Sequence, residues 1–351
     1  MFFSNKISDW YLLNKRELPW RETNDPYRIW ISEVILQQTR VNQGLAYYER
    51  FMSRFPDVVA LSKANEDEVL KYWQGLGYYS RARNLHATAR LIASQYNGVF
   101  PSDYHTLLSL KGIGAYTAAA IGSFSYRLPY AVVDGNVFRV LARVFGIQTP
   151  IDSHAGKKEF TALAQELLDQ RNPGLHNQAV MELGAIVCTP LSPNCTECPL
   201  QEGCYASAHR SWNELPVKSK KTKQRDRYFY YFHITGKGGK TYLHKRDKKD
   251  IWLNLYELPL IETDRPLSAE ELLNEQTLHP LQQEFEQMQI NRIHPTIKHV
   301  LSHQHIHACF IEAEAGYKNL PDSAFIEIDE PETGQYAISR LTDIFLSEMK
   351  K

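Results

Sequence analysis

The sequence of 351 residues contains no run of 18 or more apolar residues, so it offers no candidate for a membrane-spanning helix. It has no surplus of either charge, with Lys plus Arg at 40 and Asp plus Glu at 40, so bulk charge does not mark a nucleic-acid binder. Any DNA-binding face must come from local patches. Internal repeats and low-complexity tracts are absent, and an apolar fraction of 43% excludes a disordered chain. The opening MFFSNKISDWYLLNK lacks the order of positive charge, long apolar stretch and small-residue cleavage site of a secretory signal. A cytoplasmic protein is therefore expected. Cysteine is scarce, at five residues, yet four crowd between Cys188 and Cys204. In that compartment such crowding points to metal binding rather than disulfides.

The length allows two or three domains, each with its own core. Residues 1–213 read as helices joined by short turns, with no alternating strand. Asp25-Pro26 starts a helix expected to reach about Thr39, and others are expected at Ile7–Asn14, Gln43–Phe55, Glu66–Trp73 and Ser80–Gln95. Further helices fall at Tyr104–Leu108, Tyr116–Ser123, Val137–Phe145, Lys157–Leu168 and Asn177–Val187. Residues 214–227, ELPVKSKKTKQRDR, carry Lys218, Lys220, Lys221, Lys223, Arg225 and Arg227 and suit an exposed linker, either a free tether or a DNA contact. From Tyr228 the pattern becomes strand-like: RYFYYFHI, TYLHKR and LYELPLIE, with Gly238-Gly239 as a hairpin turn. A helix at Ser268–Glu275, strands at His303–Ile311 and Phe325–Ile328, and a last helix at Ser339–Met349 complete an α+β domain over 228–351.

Three features carry chemistry. In LKGIGAYTAAAIGSFSYRLPYAVVDGN, Gly112 and Gly114 precede a small-residue helix whose first N–H groups form a natural anion site. Asp134 closes that stretch; on spacing alone it reads first as an ordinary helix N-cap. Glu33 lies in a segment apolar nearly all round, so burial should raise its pKa and let it carry a proton near neutrality. Its bland alternative is a buried ion pair with an arginine such as Arg21. Finally, Cys188, Cys195, Cys198 and Cys204, spaced C-x6-C-x2-C-x5-C, suit tetrahedral zinc or a 4Fe–4S cluster. Cys309, in an apolar strand, reads as a buried small hydrophobe.

The glycine pair, Asp134 and the four cysteines in this order resemble the helix-hairpin-helix DNA glycosylases of the endonuclease III superfamily. The finer resemblance is to the MutY-type adenine DNA glycosylases. It rests on LPWR at Leu18–Arg21, WISEVILQQTRV at Trp30–Val41, GLGYYSRARNLH at Gly75–His86, LKGIGAYTA at Leu110–Ala118 and VVDGNVFRVLAR at Val132–Arg143. The resemblance implies an all-α helix-hairpin-helix domain (hairpin about 105–123) with a 4Fe–4S loop over 188–204. It also implies an α+β Nudix-like domain that helps to recognise 8-oxoguanine. Glu33 would protonate adenine and then help to activate water, Asp134 would stabilise the oxocarbenium-like sugar, and Asn136 would support Asp134. Tyr116 stands where bifunctional relatives carry a Schiff-base lysine, which implies base removal without strand cleavage. Lys111 is five residues too early for that amine and, with Gly112 and Gly114, would contact phosphate. Trp20, Arg21, Leu36 and Gln178 would line the adenine pocket. Gln38, Thr39, Leu76 and Tyr78 would fill the gap left by the flipped base and contact the opposite purine; the bland reading of Leu76, Tyr78 and Tyr79 is core packing, against which the glycine-bounded turn GLGYYS favours a wedge.

In the tail, Ser302 of KHVLSH matches an 8-oxoguanine contact, although Leu301 replaces the usual Phe. His303, His305 and His307 alternate along an expected strand, as a polar face or, less simply, a zinc site. SAEELLNE lacks the order of the Mg²⁺-holding Nudix helix, so no pyrophosphatase activity is expected. The expected partner is duplex DNA bearing an A:8-oxoguanine or A:G mispair, bound by a monomer. A glycosylase for another base and a non-catalytic mismatch sensor are the rivals.

Overall fold

The computed structural model describes residues 2–219 and 224–349, so Lys220, Lys221 and Lys223 of the basic run lie outside the described residues. The chain falls into two compact units: Met1–Lys63 with Asn84–Lys220, and Ala64–Arg83 with Lys221–Lys351.

The helices in chain order are α1 (Phe2–Asn14), α2 (Pro26–Ile35), α3 (Val41–Arg54), α4 (Val58–Lys63), α5 (Glu66–Trp73) and α6 (Ser80–Gln95). They continue as α7 (Tyr104–Ser109), α8 (Ala115–Tyr126), α9 (Gly135–Phe145), α10 (His154–Leu167), α11 (Pro173–Ile186) and α12 (Tyr205–Ala208). Several starts follow local capping chemistry. Asp25, Asp103, Asp134 and Ser153 each accept a backbone N–H from the first turn of the helix they open. α2 stops at Ile35 rather than near Thr39, because Gln38 takes a left-handed backbone (φ 59) that no right-handed helix can continue. The core of the first unit gathers Ile7 and Tyr11 of α1, Val140 and Leu141 of α9, Phe160 of α10 and Leu183 of α11. α2 packs against α8, whose Ala118, Ala119 and Ala120 permit a close approach.

The second unit is built on β1 (Arg225–Thr235), β2 (Lys240–Lys245), β3 (Tyr256–Glu257), β4 (Leu260–Thr263), β5 (Phe285–Ile293), β6 (Ile297–Val300), β7 (Gln304–Tyr317) and β8 (Phe325–Asp329). α13 (Ala269–Leu273), α14 (Glu275–Gln282) and α15 (Arg340–Met349) complete it. One sheet runs β4-β1-β7-β5 with β6 also on β7; the other runs β3-β2-β8. β1 lies parallel to β7 and is buried almost continuously from Phe229 to Ile234, as a central strand covered on both faces must be.

Several sequence expectations need correction here. Gly238 and Gly239 do form a left-handed turn, but β1 and β2 enter different sheets and do not pair as a hairpin. LYELPLIE is two strands, because Pro259 has no N–H to donate and interrupts the ladder. β5 was missed: its side chains are mostly exposed and two register shifts erase the alternation. Arg225 and Arg227 belong to β1 rather than to a linker, and Arg227 is buried against Glu262 (2.7 Å) and Asp250 (3.1 Å). β7 begins at Gln304, so His303 precedes the strand; His305 and His307 instead share Asp226, at 3.5 and 2.7 Å. Cys309 is buried in β7, as expected of a small hydrophobe.

Candidate active site

Capping by Asp25 and Pro26 at its first turn fix the start of α2, and nearly every residue from Tyr27 to Ile35 is buried. Glu33 therefore has no route to water along its own helix, and only 5% of it is exposed. The Tyr116 hydroxyl, from the first turn of α8, donates to Glu33 Oε2. Burial drives the Glu33 carboxyl up to about 7; the Tyr116 hydrogen bond and Arg21 pull it down, and Asp134 pushes it up. The same burial, with Glu33 alongside, holds the Tyr116 phenol well above its ordinary range.

Asp134 is the N-cap of α9 and more than a cap. Its Oδ1 accepts Val137 N at 2.8 Å and its Oδ2 accepts Asn136 Nδ2 at 2.8 Å. Asn136 Oδ1 in turn accepts Arg139 Nη2 at 2.8 Å. Arg139 also donates to the carbonyls of Cys188 (2.6 Å) and Gly184 (2.7 Å). The hydrogen bonds to Asp134 favour its charged form. They do lower its pKa, but burial outweighs them and the net direction is upward. Helix α11 comes close to this network because Gly184 has no side chain: a Cβ there would stand 2.6 Å from Asn136 Cβ.

Glu33, Asp134, Tyr116 and Asn136 line one cavity of about 160 Å³, together with Trp20, Arg21, Leu36, Thr39 and Gln178. Arg21 does not pair with Glu33. Its guanidinium grips Glu182 at 3.0 and 2.7 Å, and Arg16 grips the same carboxylate at 2.8 and 2.6 Å. Burial would raise Glu182, but the two arginines overwhelm it and bring the carboxyl down to about 2. Sequence reasoning missed Glu182 and Arg16. The available signal was the spacing of Gln178 and Glu182, four residues apart and so on one face of α11. Tyr11, also missed, donates its hydroxyl to Gln178 Oε1 at 2.6 Å.

The remaining expected site residues lie elsewhere. Gln38 is exposed and does not line the cavity of Glu33 and Asp134. Lys111, Gly112 and Gly114 form the exposed turn between α7 and α8, pinned by buried Leu110 and Ile113. Gly112 needs its φ of +80, and a Cβ there would meet Asn84 Cβ at 2.7 Å. Leu76, Tyr78 and Ser302 line a second cavity, of about 700 Å³, wholly within the second unit. Only Tyr78 is an exposed aromatic, at 44%. In this turn Leu76 at 8% and Tyr79 at 3% are packed inside, as core packing has them.

The four cysteines of 188–204 converge on one small cavity beside α9. Arg143, itself buried, aims Nη1 at Cys188 Sγ (3.5 Å) and binds the carbonyls of Thr189, Pro190 and Leu215. Burial pushes the Cys198 thiol up to about 11, with the neighbouring cysteines adding to it, so four thiolates there require a strong local positive charge. Among the described residues no three His, Cys, Asp or Glu side chains are grouped as they would be around a single metal ion. Four cysteine sulfurs around one enclosed cavity are the donor set that a zinc ion or a 4Fe–4S cluster takes.

Comparison with known proteins agrees with a helical part followed by a β-rich part. Residues 31–169 match the model of the HhH-GPD superfamily base excision DNA repair proteins, and residues 230–348 match a NUDIX domain model. The adenine DNA glycosylase of Buchnera aphidicola subsp. Acyrthosiphon pisum is 35% identical over 73% of this chain and 73% of its own. The chain belongs to the adenine DNA glycosylase family. The Homo sapiens relative is 42% identical over 58% of this chain and 39% of its own. Among solved structures, a thermostable thymine-DNA glycosylase superposes with TM-score 0.55 at 29% identity, covering 59% of this chain and 95% of that one. An endonuclease III–DNA complex (TM-score 0.51, 21% identity, 60% and 95% covered) shares the fold of the helical unit. No described helix is long and apolar enough to cross a membrane.

Proposed function

We propose that the chain removes adenine mispaired with 8-oxoguanine or guanine from duplex DNA by hydrolysing its N-glycosidic bond, leaving an abasic site. The observation that carries this reading is a buried carboxyl held near pKa 7, Glu33, lining the same cavity as the capped carboxylate Asp134. A flipped adenine leaves neutral only if protonated, and the sugar it leaves behind needs an anion. Glu33 carries the proton and then helps to activate water; Asp134, steadied by Asn136 and Val137 N–H, faces the developing positive charge. Trp20, Arg21, Leu36 and Gln178 hold the base, with Thr39 and Gln38 at the gap. Tyr116 has no amine, so no Schiff base forms and the strand stays intact. Lys111, Gly112 and Gly114 hold the phosphate of the strand that carries the flipped base.

Residues 1–213 act as the catalytic domain, 214–227 as the link, and 228–351 as the domain that reads 8-oxoguanine through Ser302, opposite Leu76 and Tyr78. Cys188, Cys195, Cys198 and Cys204 would hold a 4Fe–4S cluster, which would brace the loop without entering the hydrolysis. The test is a duplex carrying adenine opposite 8-oxoguanine. The expected result is free adenine, with strand breakage only after alkali. Prompt breakage by the purified protein, or removal of thymine instead, would sink the reading. Iron and sulfide analysis with a visible absorbance band tests the cluster against colourless zinc.

A further inference from the structure

The segment Ala64–Arg83 follows the first helices in sequence yet packs with the β-rich tail as part of the second unit. Its attachment is polar and made at several points. Asp67, in the first turn of α5, accepts Lys245 Nζ at 2.5 Å on one oxygen and the Tyr256 hydroxyl at 3.0 Å on the other. Lys245 Nζ also lies 5.4 Å from the Tyr256 ring centre, and the Asn254 amide donates to Glu66. Further along, Lys71 Nζ donates to Tyr336 O at 2.9 Å and Arg83 Nη1 to Leu253 O at 2.8 Å. Between these anchors the chain turns sharply, and Gly75, Gly77 and Tyr78 all have positive φ. A tyrosine in that region persists only where its surroundings hold it. The turn forms one wall of the cavity of about 700 Å³, and residues His299–Gln304 form another. Across it, the Tyr78 hydroxyl and Ser302 Oγ are 2.8 Å apart.

We propose that Asp67, Lys245 and Tyr256 are positioning residues that lock the turn bearing Leu76 and Tyr78 to the loop bearing Ser302, so that both walls meet the purine opposite the target adenine as one preassembled reader. The inference rests on the reading of Ser302 and Tyr78 as contacts to that purine. Its physical basis is preorganisation: a turn already fixed in the free protein spares the ordering cost at binding. The adenine pocket is lined wholly by residues of the first unit, so loosening the anchor should change which opposite purine is preferred more than the chemistry.

The experiment is single-turnover excision by the full chain on adenine opposite 8-oxoguanine and opposite guanine. Lys245→Glu sets two like charges against each other at the anchor. It should lower the 8-oxoguanine-to-guanine rate ratio by roughly fivefold, the factor that about 1 kcal/mol represents. The rate opposite guanine should stay within about twofold, and the charge swap Asp67→Lys/Lys245→Asp should restore the ratio. Tyr256→Phe, which loses one hydrogen bond only, should fall between. If Lys245→Glu fails to fold, Lys245→Ala and the charge swap carry the same comparison. An unchanged ratio, an equal fall in both rates, or a swap that does not restore the ratio overturns the inference. A wild-type ratio of one, or Ser302→Ala without effect on it, overturns the underlying reading as well. A wild-type preference that survives Lys245→Glu overturns the inference alone.

Discussion

Glu33 and Glu182 line the same cavity and are buried alike, at 5% and 1% exposed, yet near neutrality one is poised to hold a proton and the other stays ionised. Glu33 has a phenol for a partner and is driven up to about 7. Glu182 has two arginines and is drawn down to about 2. Burial pushes both the same way, so the company each keeps decides the outcome. One of these carboxyls is thereby equipped to give a proton, and the other to hold a guanidinium in place.

The largest test of that contrast is chemical. Glu33→Gln and Asp134→Asn should each slow single-turnover excision by about a thousandfold or more while leaving duplex binding measurable. Full activity in either variant would remove its assigned role. Glu182→Gln should act on the fold instead. It strands two guanidinium groups, one of them nearly buried, and should cost about 3 kcal/mol in urea unfolding. Unchanged stability would mean that the clamp is not structural.

The pH dependence sharpens the same comparison. Glu33 works as an acid, so kcat/KM should fall about tenfold per pH unit above its limb near 7. Asp134 works as an anion with a raised pKa, so an acid limb should appear above the ordinary aspartate range. For stability the sign is set by the upward shift of Glu33: its contribution is full below its ordinary 4.5 and is lost as pH rises through about 7. The smallest expected effect is that of Tyr116→Phe. The phenol donates to the carboxylate and favours it, so its loss should move the alkaline limb upward. A limb that stays or moves down would show that Tyr116 does not tune Glu33.

Much of this contrast was legible before the fold. The apolar company of Glu33 within WISEVILQQ announces its burial, and DGNVFRVLAR announces a capped helix at Asp134. Several helix starts in the first half follow from Asx and Ser caps that act locally, and α5, capped by Asn65 on Glu68 N, matches its expected bounds. What escaped is long-range. Nothing near Arg21 says that its carboxylate is Glu182, some 160 residues away, and nothing near Asp67 says that Lys245 will meet it. In the tail, β5 and β6 escaped because exposed edge strands carry little alternation, which two register shifts in β5 and the four-residue length of β6 reduce further.

Gly184 bears on how this enzyme can vary. A methyl group added there would collide with Asn136, on which one oxygen of Asp134 depends. Tolerance to change is thus governed at 184 by a carboxylate 50 positions earlier in the chain. Gly184→Ala should behave as a hypomorph, folded but slow, and random mutagenesis under selection for repair should return glycine at 184 far more strictly than at Gly135, where a Cβ meets nothing.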